Sequence, residues 1–414
     1  MIAGILPAGA AGRELVAIVA TASLASVTIS LGLPLLSIVL HGHGVDSFTI
    51  GLNTTAGALG SLAAAPLAEP IARRLGAVAA MQLALLLAAA VLLLFPLAVD
   101  LWLWALWRIL LGGSGAVLFI VSEAAINAMA PPERRGRILA LYATSFSLGY
   151  AAGPLLLALT GSEGFLPFLV AAAFLLLAAG PLRLVAGVDR VLAEPERRGR
   201  GPGPIALVRR AALPFAGVLV YAVLETSFFA LLPVYLLAIG RPESLAALLL
   251  SIWIAGNILL QLPIGWLVDR LGGERSLAAC ALVAAASLLL LDPAVRNGWA
   301  MWPLLLVGGG AMGAFYTVSL VILGQRFAAG ELVRANAAFV VAFQIGLLIG
   351  PATVGGVMRA FGAEAFAWPL ALASVAAPVA ALARPSARAA GSSPASTAAR
   401  TAQSGSLRWV QLLK

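Results

Sequence analysis

Gly149-Tyr150-Ala151-Ala152-Gly153-Pro154 and Gly346-Leu347-Leu348-Ile349-Gly350-Pro351 share the pattern Gly-x-x-x-Gly-Pro, and both lie inside long apolar runs. From 149 to 346 the offset is 197 residues in a chain of 414, close to half its length. Two chance matches at equivalent places would be unusual, so the chain reads as two related halves. Small residues one helical turn apart let two helices approach closely, and the proline removes a backbone hydrogen bond so that the helix can bend there. Gly149, Gly153, Pro154, Gly346, Gly350 and Pro351 are therefore read as helix-packing positions.

The composition says what those helices sit in. Hydrophobic residues make up 62% of the chain and charged residues only 10%, whereas soluble domains carry about a quarter charged residues. The 43 glycines and 24 prolines are better tolerated in polytopic membrane helices than in soluble ones. A span needs about 20 apolar residues. Apolar runs fall at 14–40, 48–71, 77–97, 101–129, 137–160 and 164–186, then at 210–237, 243–268, 275–292, 299–325, 333–358 and 364–383. Six plus six predicts an all-α membrane protein with twelve transmembrane helices in two six-helix bundles, at 14–186 and 210–383. Residues 1–13 read as a short retained tail and not a cleaved signal peptide. Residues 187–209, with Glu194, Pro195, Arg197, Arg198, Arg200 and a Gly-Pro-Gly-Pro run, read as a linker. The Ala/Ser/Thr-rich stretch 384–414 reads as a disordered tail.

The net charge of +9 is mostly a signal of topology. With the N-terminus inside, 22 of the 26 basic residues fall on that side. Arg241, Arg296 and Arg359 fall on the other side and Arg108 inside a span. The excess of basic residues in cytoplasmic loops then predicts a multi-pass protein of the inner or plasma membrane with both termini, the linker and the tail cytoplasmic. Nucleic-acid binding is not indicated, because the basic residues are spent on orientation.

Further stretches resemble the major facilitator superfamily, and within it the YcaD-like permeases. Gly265-Trp266-Leu267-Val268-Asp269-Arg270-Leu271-Gly272 matches the superfamily's G-x-L-x-D-R-x-G loop between spans eight and nine. Trp107-Arg108, Gly112, Ser122-Glu123, Asn127, Arg135-Gly136-Arg137 and Tyr142 look like the branch's span four and the segment after it. So do Leu232-Pro233-Val234-Tyr235-Leu236 and Gln261-Leu262-Pro263-Ile264-Gly265. The likeness runs to about Arg384. The first-half loop, Pro66 to Gly76, departs from the pattern, and Leu157 and Ala158 stand where the antiporter motif of span five continues with glycines. The resemblance implies a secondary transporter that moves a small solute by alternating access. Glu69, Arg73, Arg74, Gly265, Asp269 and Arg270 would form a cytoplasmic gate that latches the outward-open state.

An ionisable residue within a span costs about 2.5 to 3.5 kcal/mol on insertion scales, so each asks for a reason. Glu225 lies near the middle of span seven with Tyr221 one turn away on the same face. Burial disfavours its ionised form, which suits a proton carrier, and a structural carboxyl tying span seven to a neighbour is the other reading. Arg108 cannot lose its charge. It either faces a cavity or an acidic partner, or snorkels to the outer interface beside a belt of Trp102, Trp104 and Trp107. Glu123 shares a helical face with Arg108 about 22 Å further along. It suits an ion pair with Arg134, Arg135 or Arg137 as well as it suits substrate or proton contact. Asn53, Tyr142, Asn257, Gln261, Tyr316 and Gln344 suit cavity lining or interhelical hydrogen bonds.

His41 and His43 have no second His/Cys pair, Cys280 is the single cysteine, and no nucleophile elbow or phosphate loop is present. No metal site, cofactor or enzyme activity is indicated, nor ATP-driven transport by this chain alone. The expected function is secondary active transport of a small molecule by a monomer in lipid, with protons as coupling ion. An ion-independent facilitator, or a receptor or scaffold with the same fold, is the alternative.

Overall fold

A backbone in hydrocarbon must satisfy each N–H and C=O within its own segment, and the apolar runs accordingly form helices. The computed structural model describes residues 7, 9–131, 134–186, 188, 203–327 and 329–382. The expectation for the 187–209 linker falls mostly outside the described residues, and that for the 384–414 tail wholly so. Among the described residues there is no strand.

The first half contains α1 (Ala10–Gly42), α2 (Ser47–Leu75), α3 (Ala77–Leu94), α4 (Leu101–Met129), α5 (Arg135–Thr160) and α6 (Leu166–Ala179). A short helix, α7 (Pro204–Arg210), lies where the linker was expected to end. The second half contains α8 (Ala212–Ala238), α9 (Glu243–Leu259), α10 (Gln261–Leu271), α11 (Gly273–Leu289), α12 (Leu291–Asn297), α13 (Met301–Arg326), α14 (Ala329–Phe361) and α15 (Ala367–Leu382). Starts are set locally: Asp46 and Asp100 accept backbone N–H groups in the first turns of α2 and α4. The junctions α2–α3 and α10–α11 each turn on a glycine with positive φ, Gly76 at 89° and Gly272 at 80°.

Two expected spans are broken. The pair α9 and α10 bends by 43°, and α11 and α12 by 50°. In each pair a proline, Pro263 or Pro293, stands four residues after the last residue of the first helix, where it cannot donate to that helix's carbonyl. Among the described residues, eight helical segments are long and apolar enough to cross a membrane, and ten if each bent pair is one span. Of the other two expected spans, α2 carries Asn53, Thr54, Thr55, Glu69, Arg73 and Arg74, and α15 has only 16 residues.

Packing repeats the internal symmetry. In the first half α1 packs on α5 and α6, α2 on α4, and α3 on α4 and α6. In the second, α8 packs on α14 and α15, α9 on α13, and α11 on α13 and α15. The Gly-x-x-x-Gly-Pro repeat occupies equivalent seams. A Cβ on Gly149 or Gly153 would overlap the Ser23 carbonyl and the Ser30 hydroxyl of α1. A Cβ on Gly346 or Gly350 would crowd Leu219 and Val223 of α8. Glycine is needed there for backbone approach. Thr21 and Thr28 of α1 add hydrogen bonds to the Ala178 and Ala171 carbonyls of α6. The outer surface is apolar: Trp102, Leu159, Leu262 and Trp299 are each more than 80% exposed, the sign of a surface that meets lipid.

The two halves meet mainly through α2 with α14, α5 with α9, and α1 with α8. These contacts gather at one end. The Ser47 hydroxyl donates to the Gly355 carbonyl at 2.9 Å, and Thr55 to that of Leu348 at 2.9 Å. Ser162 donates to Glu243 at 2.8 Å, and Arg359 lies 3.7 Å from Asp46 and over the Phe48 ring. The amides and hydroxyl that hold Asp46 overcome its burial and, with Arg359, keep its carboxyl below the usual range. A cavity of about 270 Å³ at this end is lined from both halves, by His41 and Ser47 on one side and Val234 and Met358 on the other. At the opposite end the ion pairs between described residues stay within one half, as in Arg210–Glu331, Arg326–Glu274 and Glu69–Arg73.

Candidate transport site

Glu225 sits near the middle of α8 and is half-buried. The Tyr221 hydroxyl, one turn before it, donates to the carboxylate at 3.2 Å, and the side chain of Tyr150 on α5 stands beside the same carboxylate. Tyr150 also packs on Phe229 of α8, with ring centroids 5.0 Å apart. The acid is thus bonded to Tyr221 of its own half, with Tyr150 of the other half standing beside it.

Around this centre the aromatic residues run on. Tyr221 lies 5.4 Å from the ring of Tyr316 on α13 and 6.1 Å from that of Phe343 on α14. Tyr316 also meets Phe339, at 5.6 Å. On α5, Tyr142, Phe146 and Tyr150 follow one another at four-residue spacing, and Phe146 contacts Phe119 of α4 at 5.1 Å. Four of the five tyrosines therefore collect on these facing surfaces. Tyr316 keeps 37% of its surface accessible although its ring touches α8 and α14. Tyr221 and Glu225 are likewise part-exposed, so this aromatic cluster keeps polar surface accessible beside Tyr150 of the first half.

The other expected residues divide. Asn257 of α9 reaches Tyr221 and lies against Gly313 of α13, where a Cβ would collide with its amide. The Glu123 carboxylate is exposed and forms no ion pair with another described residue, so the expected pair with Arg134, Arg135 or Arg137 is not formed. Tyr142 is buried beside Glu123, and Tyr316 lies within electrostatic reach of both Glu123 and Glu225. Gln344 is half-buried, with its Oε1 unpartnered. Gln261 is exposed at the break between α9 and α10.

Arg108 meets an amide where an acidic partner or the outer interface was expected. It is 3% exposed, its Nε donates to Asn53 Oδ1 of α2 at 3.0 Å, and its Nη2 has no partner. It neither snorkels nor meets an acid. Trp104 leaves the expected belt as well, being fully buried against Phe95 with its indole N–H on the Ala98 carbonyl. At the expected gate, Arg73 pairs with Glu69 at 2.8 Å along one helix face. Arg270 lies 4.8 Å over the Trp266 ring. Asp269 makes no hydrogen bond or ion pair with another described residue.

The residues that sequence reasoning missed are Tyr150, Phe146, Phe229, Phe339 and Phe343. The four-residue spacing of Tyr142, Phe146 and Tyr150 was a usable signal, because it marks one helical stripe. Two internally related sets of helices around a half-buried acid define a membrane transporter. The Major Facilitator Superfamily model matches residues 16–241 and 214–414, and the chain belongs to that family of secondary transporters.

Relatives of the expected branch are found. The chain is 26% identical to an uncharacterized transporter of this type, YfkF of Bacillus subtilis, over 80% of this chain and 84% of the relative. It is 27% identical to the uncharacterized transporter YcaD of Escherichia fergusonii, over 77% of this chain and 82% of that one. Among solved structures the nucleoside transporter NupG superposes with a TM-score of 0.74, at 14% identity and over 90% of this chain and 98% of that one. The D-xylose–proton symporter does so with a TM-score of 0.68, at 15% identity and over 89% and 98%. Both show the same fold.

Proposed function

We propose that this protein moves a small solute across the cytoplasmic membrane by rocking its two halves about the space at Glu225, and that Glu225 exchanges the coupling proton. The chain then makes twelve passes in two six-helix bundles, each bent pair counting as one pass and α2 and α15 completing the set. It works as a monomer with both termini in the cytoplasm. The observation that carries the reading is Glu225, half-buried at mid-helix, bonded to Tyr221 of its own half with Tyr150 of the other half beside it. A group that gains or loses a proton there changes its hydrogen bonds across the interface between the halves, which is how occupancy can bias their orientation. Contacts between the halves gather at the His43 to Ser47 end, which the basic-residue bias places outside. The arrangement is then the inward-open stage of the cycle. Glu69, Arg73, Arg74, Gly265, Asp269 and Arg270 stand where the latch of the opposite stage would close.

Glu225→Gln tests the reading, because glutamine keeps the size and much of the hydrogen bonding but never ionises. In reconstituted vesicles, accumulation driven by a pH gradient is expected to vanish while exchange without a gradient survives. Driven accumulation at wild-type level, normalised to folded protein, would remove Glu225 from the mechanism.

A further inference from the structure

Charge is distributed unevenly around Glu225. Glu225 accepts from the Tyr221 hydroxyl and forms no ion pair with another described residue, and the Glu123 carboxylate is exposed and unpaired among the described residues. Tyr316 stands within electrostatic reach of both acids. Arg108 of α4 does not neutralise them: it is buried on the α2–α4 seam and bonded to an amide. The surroundings of Glu225 are aromatic: Tyr221, Tyr316 and Phe343 are in mutual ring contact from α8, α13 and α14, and Tyr150 of α5 packs on Phe229 of α8.

A carboxylate beside several aromatic faces is suited to a positive charge carried on an apolar body. The rings offer their negative faces to the cation, the apolar body takes up their surface, and the carboxylate supplies the counter-charge. An anionic solute would meet two acids that form no ion pair among the described residues, and a polyhydroxylated neutral solute would leave most of the aromatic surface without hydrogen bonds to offer it. We infer that the solute is an organic cation, an amine or quaternary onium compound with an aromatic or similarly flat apolar body, bound against Glu225 by Tyr150, Tyr221, Tyr316 and Phe343. This assignment rests on the reading of the Glu225 space as the transport site, and it adds the class of solute.

The test is equilibrium binding to the purified full chain, with no gradient, so that it stands apart from the test of proton coupling. The probes are tetraphenylphosphonium and its near-isosteric anion tetraphenylborate, with ethidium as a planar cation and uridine as a neutral solute. The expected result is saturable binding and a raised melting temperature with the two cations and not with the anion or uridine. Glu225→Gln should weaken cation binding about tenfold or more, and Tyr316→Ala, which keeps the acid, should weaken it severalfold. A variant that fails to fold is recognised by its melting curve, and Tyr316→Phe, which keeps the ring, should then bind close to wild type. Stabilisation by the anion or by uridine, or by none of the four probes, overturns the inference. So does cation binding that is equal in wild type, Glu225→Gln and Tyr316→Ala. If Glu225→Gln abolishes pH-driven accumulation while no cation binds, proton coupling stands and the cationic class falls.

Discussion

Arg108 shows how a single buried charge is tolerated. Its guanidinium lies among apolar helices with one amide partner on α2, so its environment depends on Asn53 far more than an exposed arginine would depend on any neighbour. Asn53→Ala is expected to cost about 2 kcal/mol, because a buried charged donor is left without its acceptor. Combining it with Arg108→Met should recover much of that loss, since an unbranched apolar chain of similar length needs no acceptor. Melting curves of the purified variants check this: the double variant should melt above Asn53→Ala. The same residue marks the limit of sequence reading. Glu225 and Tyr221 were legible as a pair because they sit one turn apart on one helix. Arg108 with Asn53, and Glu225 with Tyr150, were not, because those partners lie on different helices and nothing in a local pattern says which helices will face each other.

At the scale of the helices, glycine placement carries the architecture. The Gly-x-x-x-Gly-Pro repeat seats α5 on α1 and α14 on α8, and the small residues allow backbones to touch where side chains would hold them apart. Gly153→Leu should sharply reduce the yield of folded protein, since its side chain would meet the Ser30 hydroxyl and the Val27 carbonyl of α1. Gly115→Ala on α4, where a Cβ meets nothing within 4 Å, should fold like wild type or better, because alanine is the stronger helix former. Size-exclusion chromatography of detergent extracts distinguishes the two. The role of the repeat was legible because small-residue spacing is a local property. The breaks at Leu260 and Leu290 were not anticipated, although Pro263 and Pro293 were visible. Pro34, Pro154, Pro233 and Pro351 sit inside unbroken helices, so a proline alone does not announce a break.

The whole molecule is two similarly packed sets of helices that meet at one end. Basic-residue placement gives that end an outer location, which can be checked in intact cells with a membrane-impermeant thiol reagent after Cys280→Ser. A cysteine at position 43 should be labelled from outside and one at position 275 spared, and the reverse pattern would invert the orientation. The two-half plan was legible because the repeat and the spacing of apolar runs extend over the chain. Which end is closed was not legible, since it depends on contacts such as Ser47 with Gly355 between residues some three hundred positions apart. Closure at one end and opening at the other would be coupled through Glu225. Spin labels at 43 and 364, both exposed at the closed end, and in a second protein at 74 and 275, exposed at the opposite end, measure this directly by pulsed dipolar distances. Between wild type and Glu225→Gln, and between high and low pH in wild type, the account predicts that the two distances shift in opposite directions, one shortening as the other lengthens. Distances that stay fixed at both ends, or that lengthen and shorten together, would contradict it.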